Sequence, residues 1–402
     1  MGSYYIKSII GRIAEGIESL ISQGIIRKDK QVLLYGLDRH VFAMRTILSN
    51  LGYNNIEGYI SDDEAAVVQY KFEIKNFSCR FLNHETDAIN VWTVEERLSS
   101  FDSDAIILIA SKDYEEKRAN LIALGYKENV HFYIAYDFKE EELDKLFENK
   151  RRMTLDEMKQ VEKEILVYID EFCAKNNIRY WVSGGTLLGA IRHKGFIPWD
   201  DDIDICMPWK DYQKFIELFE ETERFDMLGF GTAEESDYSN LFAKVVDKRT
   251  IVDEDIETIR KINPLWVDVF PLIGLPEDAD ERHLFFVKYK EVNRRIWQEF
   301  YATNGNADVF GKWYDVQKEF LGKYDFDNSE YVGFIGTVYW ERDCTTRKVY
   351  EETLRLKFDD IDVNAAAGYK EYLDNLYGKD WVQLPDEDKR KTHHDMRAYW
   401  NY

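Results

Sequence analysis

Two aspartates one residue apart, Asp202 and Asp204, end the acidic segment Trp199-Asp200-Asp201-Asp202-Ile203-Asp204. On a strand, alternation places both carboxylates on one face. Such a pair holds Mg²⁺ or Mn²⁺, hard ions that prefer oxygen ligands. Without an ion, two like charges so near raise each other's pKa. Upstream, Ser183-Gly184-Gly185-Thr186 follows the short strand expected at Arg179 to Val182 and opens a helical stretch. Paired glycines let the backbone approach a phosphate, and the N–H groups of a helix start point at it. A third carboxylate, Asp268, stands alone in the apolar run Leu265-Trp266-Val267-Asp268-Val269-Phe270. A lone Asp there needs a partner. Joining the same metal cluster supplies one; the alternative is a strand-end Asp capping a turn before Pro271. These types and spacings predict phosphoryl transfer at a divalent cation, from a nucleotide donor.

The predicted roles follow from that chemistry. Asp202 and Asp204 bind a metal that bridges the donor phosphates. Asp268 completes the cluster or takes the proton from the attacking hydroxyl. Asp200 or Asp201 holds the turn or a metal-bound water. Arg192 and Lys244 are candidates to neutralise phosphate charge in the transition state. Lys244 lies in an otherwise apolar run, Leu241 to Val246, and a salt bridge to Asp247 is its alternative assignment. Ser183, Gly184, Gly185, Thr186 and Trp199 complete the expected donor site. His193 and Lys194, beside Gly195, read as solvated loop residues. The pair His393-His394 reads as a surface pair. Tyr180, Trp181, Trp199 and Trp266 flank the site; a donor carrying choline needs some ring facing its quaternary ammonium.

These groups must be positioned by elements. The run Met153 to Asn177 has helical periodicity, with Leu155, Met158, Val161, Ile165, Leu166 and Ile169 toward a core. Before it, residues 5–27 read as an amphipathic helix. Gln31 to Gly36, Ile56 to Asp62 and Ala105 to Ala110 read as strands, alternating with helices at Val41 to Leu51 and Tyr114 to Leu124. That alternation predicts a Rossmann-like parallel sheet over residues 1–150. A charged stretch at 138–152 marks the expected boundary, with a catalytic α+β domain carrying helical additions over 151–402. The turn Gly36-Leu37-Asp38-Arg39-His40 keeps one glycine of the dinucleotide fingerprint and lacks the other two. That argues against NAD binding.

Composition narrows the function classes. The chain has 402 residues, 45% of them hydrophobic, and a net charge of −23. It can bury a large core, and an acidic chain without a basic patch does not bind nucleic acid. No apolar run is long enough to span a membrane. The N-terminus lacks the basic and apolar segments of a signal peptide. Four dispersed cysteines, Cys79, Cys173, Cys206 and Cys344, fit reduced thiols in a cytoplasmic protein.

At the level of motifs, four stretches resemble the LicD family of phosphocholine transferases and fukutin-related proteins. They are Gly185 to Arg192, Ile197 to Asp204, Lys244 to Asp247 and Val267 to Leu272, with a weaker echo at Tyr377 to Trp381. The resemblance spans about residues 153–395 and implies a nucleotidyltransferase fold. It also implies Mg²⁺ (or Mn²⁺) and a CDP-linked donor, CDP-choline or a CDP-polyol. The implied acceptor is a sugar or polyol hydroxyl of a cell-surface glycan such as lipopolysaccharide, teichoic acid or capsule. It places a donor-contacting histidine at His394. A lipid-linked acceptor would bring the chain to the inner membrane face. The competing readings are a nucleotidyltransferase that releases pyrophosphate and a non-catalytic scaffold.

Overall fold

The computed structural model describes residues 5–76, 90–98, 105–138, 144–231, 240–256, 259–306, 308–337, 339–387, 390, 392 and 396–402. Cys79, His393 and His394 therefore lie outside the described residues.

Strands β2 (Gln31–Tyr35), β3 (Ile56–Ser61), β4 (Asn90–Thr93), β5 (Ala105–Ile109) and β6 (Phe132–Ile134) form an all-parallel sheet in the order β4-β3-β2-β5-β6. Strand β5 is buried along its whole length, as a central parallel strand must be when helices cover both faces. The helix Arg39–Asn50 after β2 is capped by its own Asp38, whose carboxylate accepts from the N–H of His40 at 2.9 Å and of Val41 at 3.1 Å. The place a cofactor phosphate would take at that helix start is filled by a side chain of like charge.

The reading of residues 5–27 as one helix is corrected. The chain first forms β1 (Tyr5–Ser8), and the helix runs only over Ile9–Ser22. β1 pairs antiparallel with Ile259 to Ile262 of a distant strand, a partner that local periodicity does not reveal.

A second, nine-stranded sheet carries the chemistry. Its parts are β1, β7 (Trp181–Val182), β8 (Asp204–Pro208), β9 (Phe225–Gly229), β10 (Ala243–Ile256), β11 (Ile259–Leu275), β12 (Tyr331–Gly333), β13 (Thr345–Thr346) and, after the separate hairpin of β14 (Thr353–Phe358) and β15 (Ile361–Ala366), β16 (Met396–Trp400). The helix Leu155–Asn176 packs on it. Thr154 and Glu157 form a reciprocal capping box at its start, and Asn177 ends it in the left-handed conformation. Its face toward the core includes Met158, Val161, Ile165, Leu166 and Ile169 as expected, and also Glu162, which is 1% exposed. The helix Ala279–Ala302 sends Phe285, Phe286 and Tyr289 into this larger core. Its Ile296 and Phe300 pack instead with residues of the parallel sheet.

Candidate active site

Strand pairing builds the centre of the site. β8 runs parallel to β11 with Asp204 opposite Asp268, and β10 runs antiparallel to β11 with Lys244 opposite Asp268. Three polar residues thus stand side by side across three neighbouring strands, in positions that apolar flanks otherwise fill. Asp268 lies in the interior of the 17-residue β11, so it is not the strand-end cap considered above. The alternative partner for Lys244 is also corrected. Its ammonium lies 3.5 Å from Asp268 Oδ1 and 3.4 Å from the centre of the Trp266 ring. Asp247 is held instead by Arg224 and Arg249. Positions 244 and 247 are three apart on a strand and so face opposite sides.

Asp202 does not share a strand face with Asp204. The ladder begins at Asp204, opposite Asp268 of β11, and β7 pairs only with Ile205 and Cys206. Asp200, Asp201 and Asp202 therefore occupy the connection before β8. Among the described residues, these three form the group whose carboxylate oxygens all lie within 4.8 Å of one another. Asp202 still joins Asp204, Asp268, Ser183 and Gly184 in lining one cavity of about 300 Å³. Two acidic sets meet at Asp202, one in the connection and one on the strands.

The glycine turn explains why the carboxylates come so close. Gly184 opens the helix Gly184–Arg192 with φ +52°, and a Cβ there would sit 3.1 Å from Asp204 Oδ2. A Cβ on Gly185 would sit 2.8 Å from Asp200 Oδ2. The first N–H of the helix, at Gly184, donates to the Tyr372 hydroxyl at 3.2 Å, and Asp204 N–H donates to Thr186 Oγ1 at 2.8 Å. The positive end of a helix is thus aimed at the acidic centre.

Electrostatics fit a cation. Burial, then Asp202, Asp268 and Asp200, raise the Asp204 carboxyl well above its usual range, and Lys244 opposes them. The donor set is all carboxylate oxygen, which suits Mg²⁺ or Mn²⁺ and not a thiophilic ion.

Several groups here escaped sequence reasoning. Glu162 has its Oε2 buried without a hydrogen-bond partner among the described residues. Burial, then Asp202 and Asp201, push its carboxyl well up. Its position on the apolar face of a helix was the available signal. Asp343, Thr337, Tyr339, Tyr372, Phe242 and Phe334 line the aspartate cavity without any motif to mark them. Asp343 is 2% exposed and accepts a bond from the Thr337 hydroxyl. Burial pushes its carboxyl up to about 7, against the pull of Thr337 and Arg342. The folded chain therefore holds this proton from about pH 4, where an unfolded Asp titrates, to about pH 7. Its contribution to stability falls as pH rises through that window. Asp343→Asn keeps an acceptor for Thr337 and removes the titration. The melting temperature of the wild type should fall relative to the variant between pH 5 and 7.5; parallel curves would contradict this.

Arg192 lies outside the cavity of Asp202, Asp204 and Asp268. Its Nη1 donates to the carbonyls of Trp381 at 2.8 Å and Gln383 at 3.1 Å, and its Nε pairs with His193 Nε2 at 3.0 Å. It lines a neighbouring cavity of about 410 Å³ with Gly185, Trp199, Asp200, Tyr377 and Trp381. Trp199 belongs to that second cavity. Tyr180 and Trp181 are core residues, and the Tyr180 hydroxyl donates to Asp170 at 2.5 Å. Trp266 is the buried platform under Lys244.

Residues 177–339, which contain the glycine turn and the aspartates up to Asp268, match the LicD/FKTN/FKRP nucleotidyltransferase-domain family. The chain is similar to the lipopolysaccharide cholinephosphotransferase LicD of Haemophilus influenzae, with 30% identity over 269 residues, 62% of this chain and 99% of that protein. It is also similar to the human ribitol 5-phosphate transferase FKRP, with 44% identity over 49 residues, 12% of this chain and 10% of that protein. A match spanning nearly the whole of one relative, on top of the motif-bearing domain, shows that this chain belongs to the LicD family.

Proposed function

We propose that this chain transfers a phospho-alcohol, phosphocholine first among the candidates, from a CDP-linked donor to a hydroxyl of a cell-surface glycan or its precursor. The observation that carries the reading is the side-by-side placement of Asp204 and Asp268 on paired strands, in one cavity with Asp202 and the Ser183-Gly184 turn. The likeness to a cholinephosphotransferase and a ribitol 5-phosphate transferase supports the phospho-alcohol class. Asp202, Asp204 and Asp268 are the residues that would hold Mg²⁺ or Mn²⁺. When bound, the ion supplies charge neutralisation on the diphosphate and on the departing CMP.

The remaining roles belong to the chain. The start of the helix Gly184–Arg192 orients the diphosphate through its N–H dipoles. Lys244, 3.5 Å from Asp268 Oδ1, holds that side chain in place. Asp343, with a carboxyl near 7, suits acceptance of the proton from the attacking hydroxyl. The hydroxyl oxygen bonds to the phosphorus nearest the alcohol, the bond to CMP breaks, and CMP leaves. No helix among the described residues is long and apolar enough to cross a membrane. A lipid-linked acceptor would be reached from the cytoplasmic face.

The test is incubation with Mg²⁺ and CDP-choline, CDP-ribitol, CDP-glycerol or CTP, with a glycan acceptor, following CMP and pyrophosphate. CMP from one CDP-alcohol, lost with EDTA and in Asp202→Asn/Asp204→Asn, is the expected result. Pyrophosphate from CTP would replace this reading with nucleotidyl transfer. Silence, with no Mg²⁺-dependent nucleotide binding, would favour a scaffold. Gly185→Ala tests the turn itself. Its new methyl group displaces the buried Asp200, and a misplacement of about 1 Å lowers kcat/KM by roughly a hundredfold. Unchanged kinetics would remove the turn from the mechanism.

A further inference from the structure

The helix Gly184–Arg192 starts at the edge of the aspartate cavity, and its own cap residue does not close it. Ser183 stands at the N-cap and makes no side-chain hydrogen bond to the helix. The cap comes from a distant part of the chain. Tyr372, on the helix Tyr369–Tyr377, accepts the Gly184 N–H on its hydroxyl oxygen at 3.2 Å. Tyr372 is buried and lines the cavity with Asp202, Asp204 and Asp268. A phenol hydroxyl has one proton to give besides its lone pairs. Here a lone pair is spent on Gly184, and the proton finds no acceptor among the described residues. We propose that Tyr372 is a donor-binding residue whose hydroxyl hydrogen-bonds an oxygen of the phosphoryl group being transferred. This assignment rests on the transferase reading above.

A buried O–H without an acceptor is costly. The acceptor that the proposed reaction brings into this cavity is an anionic phosphoryl oxygen. The bond from Gly184 N–H polarises the hydroxyl toward such an anion. The positive end of the helix then acts on the phosphate through the phenol. The proton is retained at working pH, because a phenol titrates near 10 and burial pushes this one well above that. The ring is also held firmly. Tyr372 packs in the larger core together with Leu373 and Leu376 of its own helix, which fixes where its oxygen can reach. A plain helix cap needs only an oxygen, and Ser183 already stands at the capping position with one. A tyrosine brought in from another helix adds the proton and points it at the cavity.

The experiment measures binding of CDP and of CMP separately to the full chain with Mg²⁺, by calorimetry, for the wild type and Tyr372→Phe. The variant keeps the buried ring and loses the hydroxyl. CDP carries the second phosphoryl group, and CMP lacks it. CDP affinity should fall about tenfold, the effect of one hydrogen bond to a charged oxygen. CMP affinity should change less than about twofold. Equal CDP affinity in the two chains, or an equal loss for both ligands, would overturn the assignment and leave the transferase reading intact. A wild type that binds no CDP would overturn both. The variant also leaves the Gly184 N–H uncapped, so a folding defect is bypassed with a ring-fluorinated tyrosine in place of Tyr372, which keeps the ring, the oxygen and the proton. Its fluorine resonance should shift on addition of CDP with Mg²⁺ and stay nearly still with CMP. A resonance indifferent to CDP, or moved equally by both nucleotides, would overturn the assignment.

Discussion

Asp204→Asn lowers the transfer rate by about a thousandfold or more and raises the melting temperature of the metal-free chain. The two effects have one cause. The carboxylate stands where burial, Asp202, Asp268 and Asp200 all disfavour its charge. Asparagine keeps the shape, and its backbone N–H still donates to Thr186 Oγ1, but the repulsion is gone. The folded state of the wild type holds a proton that the unfolded chain releases above about pH 4, so its penalty grows as pH rises. The gain in melting temperature should therefore be larger at pH 8 than at pH 5. Saturating Mg²⁺ should narrow the difference, because only the wild type then gains stability by binding. A variant that is both inactive and less stable at pH 8 would show that Asp204 acts as a structural residue.

Lys244→Met produces the opposite pattern. It removes the buried ammonium that faces Asp268 and lies over the Trp266 ring. Breaking a buried ion pair from one side costs about 3 kcal/mol or more, and the lost cation–π contact adds to it. We expect a marked fall in melting temperature together with loss of activity. The double variant Lys244→Met/Asp268→Asn should recover most of the stability and none of the activity. A double variant as unstable as the single one would mean that Lys244 supports the fold through its packing on Trp266 alone.

Much of the strand positions could be read in advance because β2, β3, β5 and β11 are runs of β-branched and large apolar residues with glycine or acidic ends. The strand carrying Asp268 was legible for that reason, and so was the glycine turn. Three things were not. The pairing of β1 with β11 joins residues about 250 positions apart, and nothing in Tyr5 to Ser8 names that partner. The strand face shared by Asp202 and Asp204 was inferred from alternation, which holds only within a strand, and β8 begins at Asp204. Asp343 and Glu162 had no motif around them; their importance lies in burial, a property of the assembled core. The salt bridge of Lys244 to Asp247 could have been set aside by strand parity alone, since residues three apart on a strand cannot share a face.

The acidic centre also has two mechanical halves. Asp204 and Asp268 are riveted to hydrogen-bonded strands, with Asp268 N–H donating to Ile203 O at 2.9 Å and Ser183 N–H to Asp204 O at 3.0 Å. Asp200, Asp201 and Asp202 ride on the connection that precedes β8. One half is fixed by the sheet's ladder, and the other by burial of the connection, where Asp200 and Asp201 are 2% and 3% exposed and Asp200 N–H donates to Ile197 O at 2.9 Å. The acidic centre is therefore set by two separate folding events, pairing of the strands and inward closure of the segment before β8.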